Sequence, residues 1–280
     1  MKRLISFSVF CFAMAIAPYA HAQITFGSDL ATVEGNGGGE GNILGDFNNT
    51  VFTVYNESVI NGAGIFAGDT LTGLAFRVDG GNLAPNFTAV DYQIALGRSI
   101  NSAGNLVDNF LDNTDSFGLI TVHTGALDFV AADYEAVNPN NSTGPANAFG
   151  PEITISDYVY TGGDLLVRIS NGGLAALADG SAIVESRADN VVEETFNQDG
   201  SLQFANNVTQ TLFGRGFESE LRGFGSGPEF DEDGNITEPG GSFGFAPIIQ
   251  FSVTSAIPEP SSAALLVGIG MIGAVRRRKK

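Results

Sequence analysis

Four groups of residues in this chain have the types and spacing for chemistry. The first is Ile257-Pro258-Glu259-Pro260-Ser261-Ser262, whose chemistry would be that of a protease substrate. Pro258 and Pro260 fix their own φ and disfavour helix in the residue before each, so Ile257 and Glu259 are expected to be extended and open to cleavage. The second is Asp231-Glu232-Asp233-Gly234-Asn235 with Glu238. Here Asp231, Asp233 and Asn235 set side-chain oxygens at alternate positions, as a calcium ion requires. The EF-hand spacing fails, because the glycine and the closing glutamate are out of place, and a Gly-bearing hairpin tip on an acidic surface is the plainer reading. The third is His123, in Leu119-Ile120-Thr121-Val122-His123-Thr124. With Ile120 and Val122 facing the core it should point outward beside Thr121. No nucleophile-elbow sequence accompanies it, so it reads as a surface histidine rather than a triad member. The fourth is the acid content itself. Paired carboxylates support glycoside hydrolysis, and Tyr55, Tyr158 and Tyr160, if exposed, could stack on sugar rings. Abundance alone supplies such pairs by chance and so identifies no catalyst.

The elements that must position these groups begin with the two ends. Lys2-Arg3, an apolar stretch from Leu4 to Ala17, and Ala20-His21-Ala22 before Gln23 have the form of a secretory leader with an A-x-A cleavage site. Residues 1–22 are therefore expected to be removed by signal peptidase after engaging the export machinery, with cleavage set by Ala20 and Ala22. At the other end, residues 261–275 are uncharged and mostly apolar, and Arg276-Arg277-Arg278-Lys279-Lys280 follows. Fifteen residues make roughly 22 Å of helix, short against a hydrocarbon core of about 30 Å, yet flanking arginines can snorkel and the bilayer can thin. One C-terminal transmembrane helix is expected in the inner membrane, with the basic cluster holding its end in the cytoplasm. Gly268-Ile269-Gly270-Met271-Ile272-Gly273 matches a dinucleotide fingerprint by letter only, since no strand precedes it and no βαβ unit follows.

Setting both ends aside changes the composition. The 280 residues carry 13 basic and 31 acidic side chains, but Lys2, Arg3, the five terminal basic residues and Glu259 all lie in the end segments. Residues 23–257 keep 6 Arg, no Lys and 30 acids, a net charge of −24. Such a surface repels phosphate, which excludes nucleic acid as a partner. The single cysteine, Cys11, sits in the leader, and there is no tryptophan, so disulfides, thiol catalysis and cysteine metal sites are excluded from the body.

That body is rich in Gly (37 in the chain) and Phe (22), and it shows period-two alternation separated by turn residues. Alternating runs include Val51-Thr53-Tyr55, Leu74-Phe76-Val78, Val90-Tyr92-Ile94-Leu96, Ile120-Val122, Ile153-Ile155, Leu165-Val167-Ile169 and Ile249-Phe251-Val253. Turn chemistry at Asp79-Gly80-Gly81, Asn138-Pro139, Gly162-Gly163-Asp164, Asn171-Gly172-Gly173 and Asp199-Gly200 divides them. The expected fold is all-β: an antiparallel β-sandwich, with a jelly roll as one form of it. Short helices are expected at Asn105–Leu111 and Leu174–Asp179. The organisation reads as leader 1–22, Gly/Asn-rich arm 23–49, sandwich ectodomain 50–256, and tail 257–280 with its span at 261–275. Within the ectodomain, 181–245 is expected to form a strand pair carrying a long loop.

The order of Pro258-Glu259-Pro260, apolar span and terminal basic cluster resembles the PEP-CTERM class of exported bacterial proteins. Segments such as Gly68-Asp69-Thr70-Leu71-Thr72-Gly73-Leu74-Ala75-Phe76-Arg77 and Tyr160-Thr161-Gly162-Gly163-Asp164-Leu165 resemble the jelly-roll-like ectodomains found on some of them. The resemblance implies processing near Pro258-Glu259-Pro260 by an exosortase-type intramembrane enzyme. It also implies a cell-surface or matrix location in a Gram-negative-type bacterium, and a non-enzymatic structural or adhesive role tied to exopolysaccharide or biofilm. A carbohydrate-binding module and a secreted glycoside hydrolase are the alternatives.

Overall fold

Alternation sends the chain into strands from its first described residues to its last. The computed structural model describes residues 21–25, 31–32, 34, 43–45, 49–103, 105–106, 110–136, 145–185, 190–192, 194–196, 202–204, 209–215, 229–230, 236–238 and 245–255. All of them lie in the unit His21–Ile257. The strands are β1 (His21–Thr25), β2 (Asn49–Tyr55), β3 (Thr70–Phe76), β4 (Phe87–Arg98), β5 (Ile120–Phe129), β6 (Ile153–Val159), β7 (Leu165–Asn171) and β8 (Leu174–Ala175). They continue as β9 (Asn190–Val192), β10 (Glu194–Phe196), β11 (Leu202–Phe204), β12 (Thr209–Arg215), β13 (Glu229–Phe230), β14 (Ile236–Glu238), β15 (Phe245–Pro247) and β16 (Ile249–Thr254).

Two antiparallel sheets carry the fold. One runs β1-β16-β3-β6; the other runs β12-β2-β7-β4-β5, with β8 also on β4. Counting only β1 to β7 and β16, the first sheet holds the first, eighth, third and sixth strands and the second holds the second, seventh, fourth and fifth. That interleaving is the double Greek key of a jelly roll. β12 adds an edge beside β2. The expected strand pair of 181–245 becomes three small pairings, β10 with β11, β13 with β14 and β15 with β9, besides β12.

The inner faces meet in one core. Leu71, Leu74 and Phe76, Ile153, Ile155 and Tyr158, and Ile249, Phe251 and Val253 come from the smaller sheet. Val51, Tyr55, Tyr92, Ile94, Leu96, Leu165, Val167 and Ile169 come from the larger, and burial of this apolar surface is the main term favouring the fold. Ile43 and Leu44, in the Gly/Asn-rich segment, join them. A second cluster of Phe52, Val54, Leu166 and Ala103, with Leu106 and Leu119 against it, forms where the β4–β5 connection covers the outer face of the larger sheet. β2 and β7 are therefore apolar on both faces, as strands buried from two sides read.

Between β4 and β5, bulges reset the alternation in two places. Pairing of β4 with β5 slips between Ala89 and Tyr92, which leaves Val90 exposed beside buried Ala89 and Tyr92. It slips again between Ile94 and Ala95, so Ile94 faces His123 and Ala95 faces Thr121. The helical expectations are corrected. Among the described residues the α-helix is α1 (Glu57–Ala63), and Leu174–Ala175 is a strand paired with Ala89 and Thr88. Of 105–111, residues 107–109 lie outside the described residues, and a short 3-10 turn runs Phe110–Asn113. α1 has two turns and one buried residue, Ile60, too little to print a helical period. Its first N–H, of Glu57, is capped from a distance by Asp164 Oδ1 at 2.8 Å, and Gly64 closes it at φ 99°.

Register places several strand ends together. His21 pairs with Thr254, Thr254 with Thr70 and Thr70 with Val159, so β1 begins where β16 ends. In the larger sheet Tyr55, Leu165 and Arg98 line up, with Ile120 one pair away from Arg98 across Leu96. Hydrogen bonds from Gly68 N to Tyr160 O (2.7 Å), Tyr160 N to Asp69 O (2.8 Å) and Ser99 N to Asp164 O (2.8 Å) tie the two sets into one end of the sandwich.

Candidate functional site

On the outer face of the smaller sheet, cross-strand pairing brings together residues far apart in sequence. Gln23 pairs with Ser252, Ser252 with Gly73 and Gly73 with Thr154. Gln23, Thr72, Glu152, Thr154 and Ser252 line an open depression of about 550 Å³. Gly73 makes the room: a Cβ there would overlap the Glu152 carboxylate, which instead lies across the glycine and accepts a short hydrogen bond from Ser252 Oγ. Thr72 Oγ1 donates to the Ser252 carbonyl at 3.3 Å. The depression thus offers one carboxylate, hydroxyls and an amide, a set that hydrogen-bonds polyhydroxyl or amide ligands. Sequence reading missed it, because its parts come from four strands. The one local signal was a glycine inside an alternating run, which marks a bulge or a close approach.

His123 does not point out to solvent. The bulge pairs it with core Ile94, so it shares the inner face, half-buried, with its ring 6.5 Å from that of Tyr92 in an edge arrangement. Val122 is buried while Ile120 is 52% exposed. Nε2 of His123 is buried and has no hydrogen-bond partner among the described residues. The surrounding crevice, lined by Thr121, Val122, Thr124, Thr154, Ile155 and Ser156, follows the seam where β5 and β6 meet as edge strands of the two sheets.

The expected sugar-stacking tyrosines are buried, not exposed: Tyr55, Tyr158 and Tyr160 all belong to the core. Tyr55 donates to Pro247 O at 2.7 Å, and Tyr160 donates to Gly163 O. Burial raises the pKa of Tyr55, and for Tyr160 burial acts together with the nearby Glu57 and Asp164 carboxylates. Both arginines of the alternating runs are also drawn in. Arg77 is fully buried, with its guanidinium 5.3 Å from the Phe149 ring centre. Arg168 is half-buried on the outer face, where burial lowers its pKa, and its Nε has no hydrogen-bond partner among the described residues.

Other sequence candidates fall elsewhere. Asp231, Asp233 and Asn235 lie outside the described residues, between the paired strands β13 and β14. Pro258, Glu259, Pro260, the span 261–275 and the cluster Arg276 to Lys280 lie outside them too, as does Ala20. Ala22 is within β1, opposite Val253. Among the described residues no helix is long and apolar enough to cross a membrane, and no three His, Cys, Asp or Glu side chains are grouped to hold a metal ion.

No curated protein matches the sequence. Among solved structures, the cysteine protease and lectin-like domains of Cwp84, a surface layer associated protein of Clostridium difficile, align at 10% identity and a TM-score of 0.30. The alignment covers 75% of this chain and 33% of that one, a likeness too slight to bear on fold or function. Residues 256–279 match the family described as PEP-CTERM protein-sorting motif, the span that holds Pro258-Glu259-Pro260, the apolar run and most of the basic cluster. The chain carries a PEP-CTERM sorting motif, which marks it as an exported protein directed to exosortase.

Proposed function

We propose that this is a non-enzymatic surface or matrix protein. Exosortase releases it near Pro258-Glu259-Pro260, and it then serves a structural or adhesive role among extracellular polysaccharides. The observation that carries the reading is the sorting motif at 256–279, placed directly after the last strand of a jelly roll. The body supports it through its charge: at −24 over residues 23–257 it stays soluble and repels its own kind outside the cell. Glycoside hydrolysis takes two carboxyl groups flanking one bond, whereas Glu152 supplies the one carboxylate among the described residues that line the polar depression on the smaller sheet.

A carbohydrate-binding role is the second reading, and the depression of Gln23, Thr72, Glu152, Thr154 and Ser252 favours it. Its hydroxyls and amide can exchange hydrogen bonds with sugar hydroxyls, though the buried tyrosines remove the stacking platforms the sequence had offered. Replacing Pro258, Glu259 and Pro260 by Ala should leave unprocessed chain in the inner membrane and deplete it from the extracellular polymer fraction. Normal release of that variant would refute the sorting role. Retention of the released chain on polysaccharide, lost in Glu152→Ala, would shift the assignment to the binding module.

A further inference from the structure

The end of the sandwich where the chain enters β1 and leaves β16 is also where the exposed apolar side chains gather. Phe66 sits between α1 and β3, Ile100 and Phe117 lie in the β4–β5 connection, Ile120 opens β5 and Val159 closes β6. Each is between 51% and 87% exposed, and none belongs to the two buried clusters. The opposite end, around the β3–β4 connection, shows three such side chains, Leu83, Val90 and Ile183, none of them aromatic. Five exposed apolar side chains, two of them phenylalanines, at one end of a strongly acidic domain call for an occupant.

The two phenylalanines are held out by their own turns. Asp69 Oδ2 accepts the Phe66 N–H at 2.8 Å, and Asp115 Oδ1 accepts the Phe117 N–H at 2.9 Å. Two further carboxylates at this end are likewise engaged with backbone. Asp164 Oδ1 accepts the Glu57 N–H at 2.8 Å, and Glu57 Oε1 accepts the Gly163 N–H at 3.0 Å. These charges are thus tied to the bases of the turns while the rings occupy the tips.

We propose that this end rests on the lipid surface while the chain is held by its C-terminal segment, with Phe66, Ile100, Phe117, Ile120 and Val159 seated in the bilayer interface. The inference rests on the reading of residues 261–275 as a membrane span. Six residues lie between Thr254 and Ser261, so the tether, seven Cα steps long, reaches at most about 25 Å even when fully extended. A tether that short keeps this end of the domain, and no other, near the bilayer. Seating depends on apolar burial and is opposed by repulsion between the acidic domain and anionic headgroups, so it should strengthen as the anionic lipid fraction falls or the salt concentration rises.

The chain contains no tryptophan, so a single replacement gives a single fluorophore. Full-length F117W and, as control at the far end, full-length L83W would be reconstituted into vesicles of phosphatidylethanolamine and phosphatidylglycerol containing a spin-labelled phospholipid quencher. Flotation would verify that each variant is membrane-held. The expected result is several-fold stronger quenching of F117W than of L83W. Equal, weak quenching of both in chains that float would overturn the proposal while leaving the membrane span intact. Shielding of F117W from lipid and aqueous quenchers alike, rising with protein density, would overturn it in favour of a second copy. Failure of either variant to float would remove the span reading and this inference with it.

Discussion

Every tyrosine of residues 23–257 is buried, and burial raises the pKa of all five: Tyr55, Tyr92, Tyr134, Tyr158 and Tyr160. For Tyr134 the Asp133 charge adds to burial, and for Tyr158, pushed up to about 12, the Asp115 charge adds. The same segment has no lysine and no cysteine, so these phenols dominate the proton release that accompanies unfolding between pH 9 and 12. The sign follows from linkage. A phenol whose folded pKa lies above the unfolded value of about 10 contributes stability in full below pH 10, and loses it as pH rises toward the folded value. With five phenols protonated when folded and ionised when unfolded, stability falls by at most about 7 kcal/mol per pH unit above 10. Set against a total of about 5–15 kcal/mol, that slope unfolds the domain near pH 11 to 12. Chain lacking residues 1–22, and hence Tyr19, should show no phenolate absorbance through pH 10. A single steep step should follow, in which all five phenols ionise as near-ultraviolet circular dichroism is lost. A broad ionisation centred near pH 10, with the dichroism unchanged, would refute the burial argument.

Two further outcomes follow from particular contacts. Gly73→Ala should displace the Glu152 carboxylate and break its bond to Ser252, costing about 1 kcal/mol and lowering Tm by about 2–4 °C; adding Glu152→Ala should recover most of that loss, and an unrecovered loss would show that backbone, not the carboxylate, is the obstacle. The expected leader cut between Ala22 and Gln23 falls inside β1, opposite Val253 and Ser252, so precursor allowed to fold should resist signal peptidase while precursor held unfolded is cut; equal cleavage of both would refute the β1–β16 pairing.

How much of this was legible depends on whether information is local. The sorting tail is contiguous, and its parts could be read without any fold. Alternating runs such as Val51 to Tyr55 and Ile249 to Val253 announced strands, because period-two burial is printed in each strand separately. Faces were lost at the bulges between β4 and β5. One extra residue at Val122 turned His123 from an outward-facing position to an inward-facing one, and the slip near Ala89 exposed Val90. Tyr158 and Tyr160 looked like surface aromatics because nothing nearby in sequence shows that other strands close over them. The Ser252–Glu152 contact joins residues 100 apart, and strand order alone creates it. The helix α1 was invisible for a different reason: its cap is supplied by Asp164, from another connection.

One feature of the strand order governs when this molecule can exist at all. β16, the last strand, lies between β1 and β3 rather than at a margin, so the smaller sheet has a gap at its middle until residue 254 has been delivered. A chain built this way cannot lock into shape while it is still being made or passed through a narrow translocation pore. It completes itself only as its rear end arrives, when the sorting motif that follows β16 is delivered too.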